Sequence, residues 1–161
     1  MRMAARILFV CTGNFCRSPM AAAILKDLLQ GNSKDELYQV RSAGTWTRDG
    51  LSASPLTLQA MEELGLDIRA HRTHHLTSQD IDQASLIIVM THDHREALTV
   101  EFPQAEEKVW LLSEMADKSH DVVDPSGSDS LDLHRERAQE IKQLLHEGYS
   151  RILQLTGGDT S

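Results

Sequence analysis

Cysteine is scarce in this chain, with two in 161 residues, and both lie within one short stretch at positions 11 and 16. So few cysteines exclude a disulfide-built secreted scaffold. Aromatic residues make up only 4%, and there is no apolar run of the length a bilayer-spanning helix needs. The run "ILFV" near the start is too short for the core of a signal peptide. With no export signal, the expected location is a reducing cytoplasm. Basic residues are also in deficit, 16 Lys and Arg against 24 Asp and Glu, for a formal net charge of −8. Sequence-independent nucleic-acid binding depends on Lys and Arg neutralising phosphates, so it is excluded as a main function. Any anion site must be local.

The punctuation marks alternating strands and helices. "RILFV" (6–10) is a short apolar run bounded by charge and then by small residues, which suits a strand buried on both faces. "SPMAAAILKDLLQG" (18–31) reads as a helix capped by Ser18, with Pro19 in its first turn and Gly31 at its end. "LYQVRSAG" (37–44), "SLIIVM" (85–90) and "KVWLLS" (108–113) are further strand candidates. "SPLTLQAMEELG" (54–65), "TSQDIDQA" (77–84) and "HDHREALTVEF" (92–102) are helix candidates, the last closed by Pro103, and "LDLHRERAQEIKQLLHEGYSRILQL" (131–155) is a long amphipathic helix. The expected fold is therefore α/β: a single domain over 1–155, with a four-stranded parallel sheet and helices on both faces. Residues 156–161, "TGGDTS", are expected to form a disordered tail.

Ligands of such sheets sit at the carboxyl ends of the strands, where "CTGNFCRSP" (11–19) follows the first strand. Small residues between a strand and a helix start turn successive N–H groups inward and make an anion nest, reinforced by the positive end of the helix. A cysteine placed there is stabilised as the nucleophilic thiolate, and Arg17 supplies a planar fork for two phosphate oxygens. Nucleophile and oxyanion clamp come from one loop, an arrangement suited to attack of sulfur on phosphorus. The leaving group needs a proton donor, and "DVVDPSGSD" (121–129) offers carboxyls. Asp124 is the first choice, because Pro125 restricts its backbone and Gly127 permits a turn; Asp121 is the second.

With these residues in place, the chain resembles the low-molecular-weight protein tyrosine phosphatases, cysteine-dependent enzymes that include a protein arginine phosphatase subgroup. The similarity rests on "VCTGNFCRSP" (10–19) and "DP" (124–125). It extends through "RSAGT" (41–45), "LGLDIRAHR" (64–72) and "LIIVMT" (86–91), nearly the whole chain. It implies a phosphate loop between the first strand and first helix, formed by Thr12, Gly13, Asn14, Phe15, Cys16 and Ser18. Cys11 would be the nucleophile that becomes a phosphocysteine, Arg17 the phosphate clamp, and Asp124 the general acid and later base. Asn14, Ser18, Ser42 and His71 would hold the loop in shape, with the Ser18 hydroxyl donating to sulfur. Ser126 stands where the family often has an aromatic residue, Thr91 where some members have aspartate, and Ala22 where many have glutamate; these departures bear on substrate choice.

The resemblance implies a phosphorylated protein as substrate, no cofactor and no metal. The main expectation is phosphotyrosine hydrolysis. Phe15, at the variable position of the loop, can stack on a phenyl group, whereas members resembling arginine phosphatases carry threonine there. The alternative is a protein arginine phosphatase, since "SAGT", "ASP" and "MTHDH" resemble that subgroup equally well. A non-catalytic phosphate-loop or redox-sensing module is a third reading, against which the complete set Cys11, Arg17 and Asp124 argues. Arsenate reduction through a thiol cascade is excluded for want of further cysteines. Cys16 is either a packing residue or the partner of a reversible disulfide with Cys11. The histidines of "HRTHH" (71–75) and "HDH" (92–94) lack zinc-site spacing, since His92 and His94 at i and i+2 face different sides of a helix. Trp110 is expected in the core and Trp46 on the rim of the active site. The oligomeric state is left open.

Overall fold

In the computed structural model, which describes residues 3–157, the chain opens with strand β1 (Ala5–Cys11), followed by helix α1 (Arg17–Gly31) and strand β2 (Tyr38–Gly44). Helices α2 (Pro55–Glu63) and α3 (Ser78–Gln83) lead to strand β3 (Leu86–Val89). Then come α4 (His92–Glu101), strand β4 (Val109–Leu111), the short α5 (Leu112–Met115) and the long α6 (Leu131–Leu155). All three strand pairings are parallel, and the order β2-β1-β3-β4 puts β1 and β3 at the centre. The chain leaves β1 for one neighbour through α1 and returns to the other side through α2 and α3. The carboxyl end of β1 therefore lies at a topological switch point, where the two connections diverge and leave a crevice.

Two apolar layers cover the sheet, as the strand period of two requires. Ile7, Phe9 and Cys11 of β1 belong to the larger core, with Met20, Leu25 and Leu29 of α1 and Ile141, Leu145 and Ile152 of α6. Leu8 and Val10 point the other way, into a core shared with Ile81, Ile87, Val89 and Leu98. The nucleophile candidate Cys11 is thus the last residue on the α1/α6 side of a fully inserted strand. Trp110 is partly buried against the larger core.

Local chemistry sets most boundaries. The Ser54 hydroxyl accepts from Thr57 N and caps α2 ahead of Pro55, and Thr77 caps α3 in a reciprocal box with Asp80. Ser130 caps α6 by accepting from Leu133 N. The start of α1 differs from the sequence expectation: its N-cap is Cys16, with no side-chain cap bond, and Ser18 lies inside the first turn with its hydroxyl engaged elsewhere. At the far end, Thr156 and Gly157 close α6 through bonds to Ile152 O and Gln154 O, and Tyr38 Oη lies 2.9 Å from Thr156 Oγ1. The tail expected from 156 therefore excludes these two residues; 158–161 lie outside the described residues. No helix of the described residues is long and apolar enough to cross a membrane.

Candidate active site

Cys11 ends β1 with only 2% of its surface exposed, and its Sγ lies 2.9 Å from Ser18 Oγ. The direction of that contact follows from the next one. Asn14 Nδ2 donates to Ser18 Oγ at 2.8 Å, filling a lone pair of the hydroxyl and leaving its proton free for the sulfur. The same amide donates to Ser42 Oγ at 2.9 Å, while Asn14 Oδ1 accepts from His74 N at 2.9 Å. Asn14 is fully buried at φ 62°, a left-handed conformation that asparagine tolerates better than most residues. Its carbonyl takes a bond from His71 Nε2 at 2.9 Å. A carbonyl only accepts, so Nε2 carries the proton. Burial pushes the His71 pKa down, and the nearby charges of Lys26 and Arg72 add to this effect against the Asn14 contact.

The segment after β2 is zipped onto the loop by backbone bonds, Thr45 N to Cys11 O and Trp46 N to Thr12 O, both 2.9 Å. This needs a glycine at position 44, because a Cβ there would lie 2.6 Å from the Thr12 carbonyl oxygen and 3.0 Å from Gly13 C. On the other flank, Thr12 Oγ1 lies 2.8 Å from Nε2 of His94, in the first turn of α4. His94 is buried, and its pKa falls to about 4, through burial first and the positive charge of Arg17 second, so it is neutral at physiological pH. Its Nδ1 is buried without a hydrogen-bond partner among the described residues. In the sequence His94 stands out only as a possible metal ligand; its i+2 spacing from His92 is the available signal, since it turns His94 inward and leaves His92 exposed.

Arg17 is 3% exposed and spans the loop and the segment carrying the acids. Its Nη1 donates to Val122 O at 2.9 Å, and its Nη2 lies 3.6 Å from Asp124 Oδ2. Nε is buried with no partner among the described residues. The Nε–Nη2 edge is the one a guanidinium uses to hold two oxygens of one anion, so the clamp is kept half-empty. Val122 N in turn donates to Met90 O, fixing the acid segment to the end of β3. For Asp124, burial acts to raise the carboxyl pKa, but hydrogen bonds from Ser126 and the Arg17 charge outweigh it and hold the pKa below the usual carboxylate range. Asp121 faces elsewhere: its Oδ1 accepts from His92 N at 2.9 Å and lies 2.7 Å from His92 Nδ1.

Cys11, Arg17 and Asp124 line one small cavity with Gly13, Phe15 and Ser126 at its sides. Trp46 is tied to the loop only through its backbone, with its side chain 82% exposed and outside that lining. Cys16 is buried beside Ser54 Oγ at 3.4 Å, and burial raises its thiol pKa. Both cysteines are free. No group of three His, Cys, Asp or Glu among the described residues is placed to hold a metal ion.

A four-stranded parallel sheet with a Cys-x5-Arg loop at the end of its first strand, and an aspartate brought to the same cavity, defines a class of single-domain α/β phosphatases. The model of the low molecular weight phosphotyrosine protein phosphatase family matches residues 6–154, and the chain belongs to that family. It is similar to a protein-arginine-phosphatase of Bacillus subtilis, 35% identical over 142 residues that cover 88% of this chain and 92% of the relative. Among solved structures, it superposes on the YwlE arginine phosphatase of Geobacillus stearothermophilus with a TM-score of 0.83 at 32% identity, covering 93% and 94% of the two chains. A low molecular weight protein tyrosine phosphatase of T. tengcongensis matches with a TM-score of 0.86, also at 32% identity, over 92% and 99%. The protein is therefore a phosphatase of this family.

Proposed function

We propose that the protein removes phosphate from arginine side chains of proteins by way of a phosphocysteine on Cys11. The Cys11 thiolate attacks phosphorus and the P–N bond breaks. Arg17 holds the equatorial oxygens through its open edge, and Ser18 steadies the sulfur. In the second half-reaction water, activated by Asp124, attacks phosphorus, the S–P bond breaks and inorganic phosphate leaves.

The observation that carries the choice of arginine is the extended similarity to arginine phosphatases, 35% and 36% identical across 88% and 87% of this chain. Asp124 supports the same reading. The substrate guanidinium already carries its proton, so when the P–N bond breaks the electron pair stays on nitrogen and a neutral guanidine leaves, which takes a proton from solvent to become the arginine cation. An ionised carboxylate beside it pairs with the resulting cation, and the Asp124 pKa is held low. Ser126 leaves that side of the mouth without an aromatic wall. Phe15 favours the second reading, phosphotyrosine, because its ring lines the cavity and can stack on a phenyl group, although it also attracts a guanidinium.

The test compares kcat/KM on peptides of one sequence carrying either phosphoarginine or phosphotyrosine. The expected order places phosphoarginine first, with a wider margin in Phe15→Thr. The reverse order in the wild type replaces this reading with the tyrosine one. Cys11→Ser should end turnover on either peptide while still binding vanadate. Asp124→Asn should slow an aryl phosphate, whose leaving group does need a proton, by ~10²–10⁴. Asp121→Asn should change it much less; the opposite ranking reassigns the acid.

A further inference from the structure

A second cavity, about 450 Å³, lies behind the phosphate loop, between α1, β2 and the 67–74 segment. Its floor is apolar, built from Pro19, Ala22, Val40 and Ile68, all buried side chains. Its rim carries Lys26, Arg41 and Arg72, with Asp67 and Asp80 as the only acids. Those two acids are already paired. Asp67 accepts from Arg69 Nε at 3.0 Å and Nη2 at 2.8 Å, and Asp80 Oδ2 takes Thr77 N and Oγ1 and lies 2.7 Å from His74 Nε2.

The cations have no acidic partner among the described residues. Lys26 and Arg41 make no ion pair or side-chain hydrogen bond among the described residues, and Arg72 donates only to the carbonyls of Arg69 and His71. A chain with net charge −8 that gathers three cations without an acidic partner among the described residues around an apolar hollow presents the complement of an amphiphilic anion.

We propose that this cavity is a second ligand site, which takes an amphiphilic anion with its apolar body on Ala22, Val40 and Ile68 and its carboxylate or phosphate among Lys26, Arg41 and Arg72. The cavity is also wired to the catalytic loop. Ser42 and His71 both line it, and both reach Asn14, through Nδ2 to Ser42 Oγ at 2.9 Å and His71 Nε2 to the Asn14 carbonyl at 2.9 Å. Lys26 and Arg72 act on His71 electrostatically, so an anion placed between them strengthens the imidazole's bond to that carbonyl. Occupancy therefore changes how firmly Asn14 is held, and with it the affinity of the loop for its own anion. By reciprocity, filling the loop changes the affinity of the second site by the same factor.

The experiment uses 2-naphthoate as the probe, titrated calorimetrically into the full chain with and without saturating vanadate, so that no choice of phosphorylated substrate enters. One equivalent should bind in both conditions, with affinities that differ by about fivefold or more, a typical size for coupling between sites. Lys26→Ala/Arg41→Ala, both exposed positions, should weaken binding by about tenfold or more, the scale of one lost charge-assisted hydrogen bond. Lys118→Ala, remote from the cavity, should leave it unchanged. Absent or non-saturating heat, equal affinity in the double variant, or abolition of binding by vanadate would each overturn the site. Equal affinity with and without vanadate overturns its link to the loop.

Discussion

Asn14 concentrates the architecture of the loop in one side chain. It holds Ser18, Ser42 and the backbone of residue 74 through its amide, and His71 through its carbonyl. Asn14→Ala keeps the unfavourable left-handed backbone and orphans one buried and two part-buried partners, so the expected loss is about 1–3 kcal/mol, read from urea midpoints, together with a fall in kcat. Asn14→Gly relieves the backbone and leaves the orphans. A glycine variant as stable as wild type would mean that the side-chain bonds contribute nothing. His94 makes a different test, because its folded-state pKa of about 4 lies below its ordinary 6.5. The unfolded chain then binds the extra proton between these values. Stability is complete above pH 6.5, falls as pH drops towards 4, and levels off below it, for a total of about 3 kcal/mol. His94→Gln, which can still reach Thr12, should flatten the midpoint difference between pH 7 and pH 5. An unaltered difference assigns the acid sensitivity to other groups.

At the scale of elements, packing of α5 on α6 rests on one glycine. A Cβ on Gly148 would lie 2.4 Å from Met115 Cβ and 2.8 Å from Met115 C, and a backbone atom cannot step aside as a flexible side chain does. Replacing a helical glycine by alanine gains about 1 kcal/mol of propensity, and overpacking costs about 1–3 kcal/mol. Gly148→Ala should therefore be destabilising, whereas Gly31→Ala, with nothing within 4 Å, should be neutral or stabilising. Thermal midpoints of the two variants decide it, and a stabilised Gly148→Ala would show that α5 shifts freely. Such contacts were not legible in the sequence, because they depend on which helices meet. The bounds of α6 were legible from its amphipathic period and Ser130, as was α3 from Thr77 and Asp80. The four-residue α5 read as the tail of a strand, since "LLS" carries no helical period. Ser18 carried a cap signature, yet the sulfur and Asn14 compete for its hydroxyl and win. Cys11, Arg17 and Asp124 could be read from loop spacing and turn chemistry. His74 and Val122 act through backbone atoms, which leave no trace in residue type; Gly44 acts by lacking a Cβ where the fold brings it against the loop, and His94 acts only because α4 turns it towards Thr12.

Across the whole molecule, the anion site is a positive interior feature of a negative body. The buried Arg17 charge acts at contact distance, whereas the net charge of −8 acts on an approaching peptide from further away. These two fields respond differently to salt. At ~0.15 M ionic strength the screening length is about 8 Å, so the distant repulsion is already reduced, and at ~1 M it is about 3 Å and the repulsion is gone. The desolvated contact with Arg17 is screened much less. Two phosphopeptides with the same phosphorylated residue, one flanked by lysines and one by glutamates, should therefore show opposite salt dependences. At low salt kcat/KM is higher for the lysine peptide and falls as salt is added, while that of the glutamate peptide rises, and the two converge near ~1 M. The difference should sit in KM at constant kcat, because the flanking charges do not touch the reacting atoms. Parallel slopes for both peptides would mean that the body field is not felt at the mouth of the site, and that approach is governed by the local charges of Asp124 and Arg17 alone.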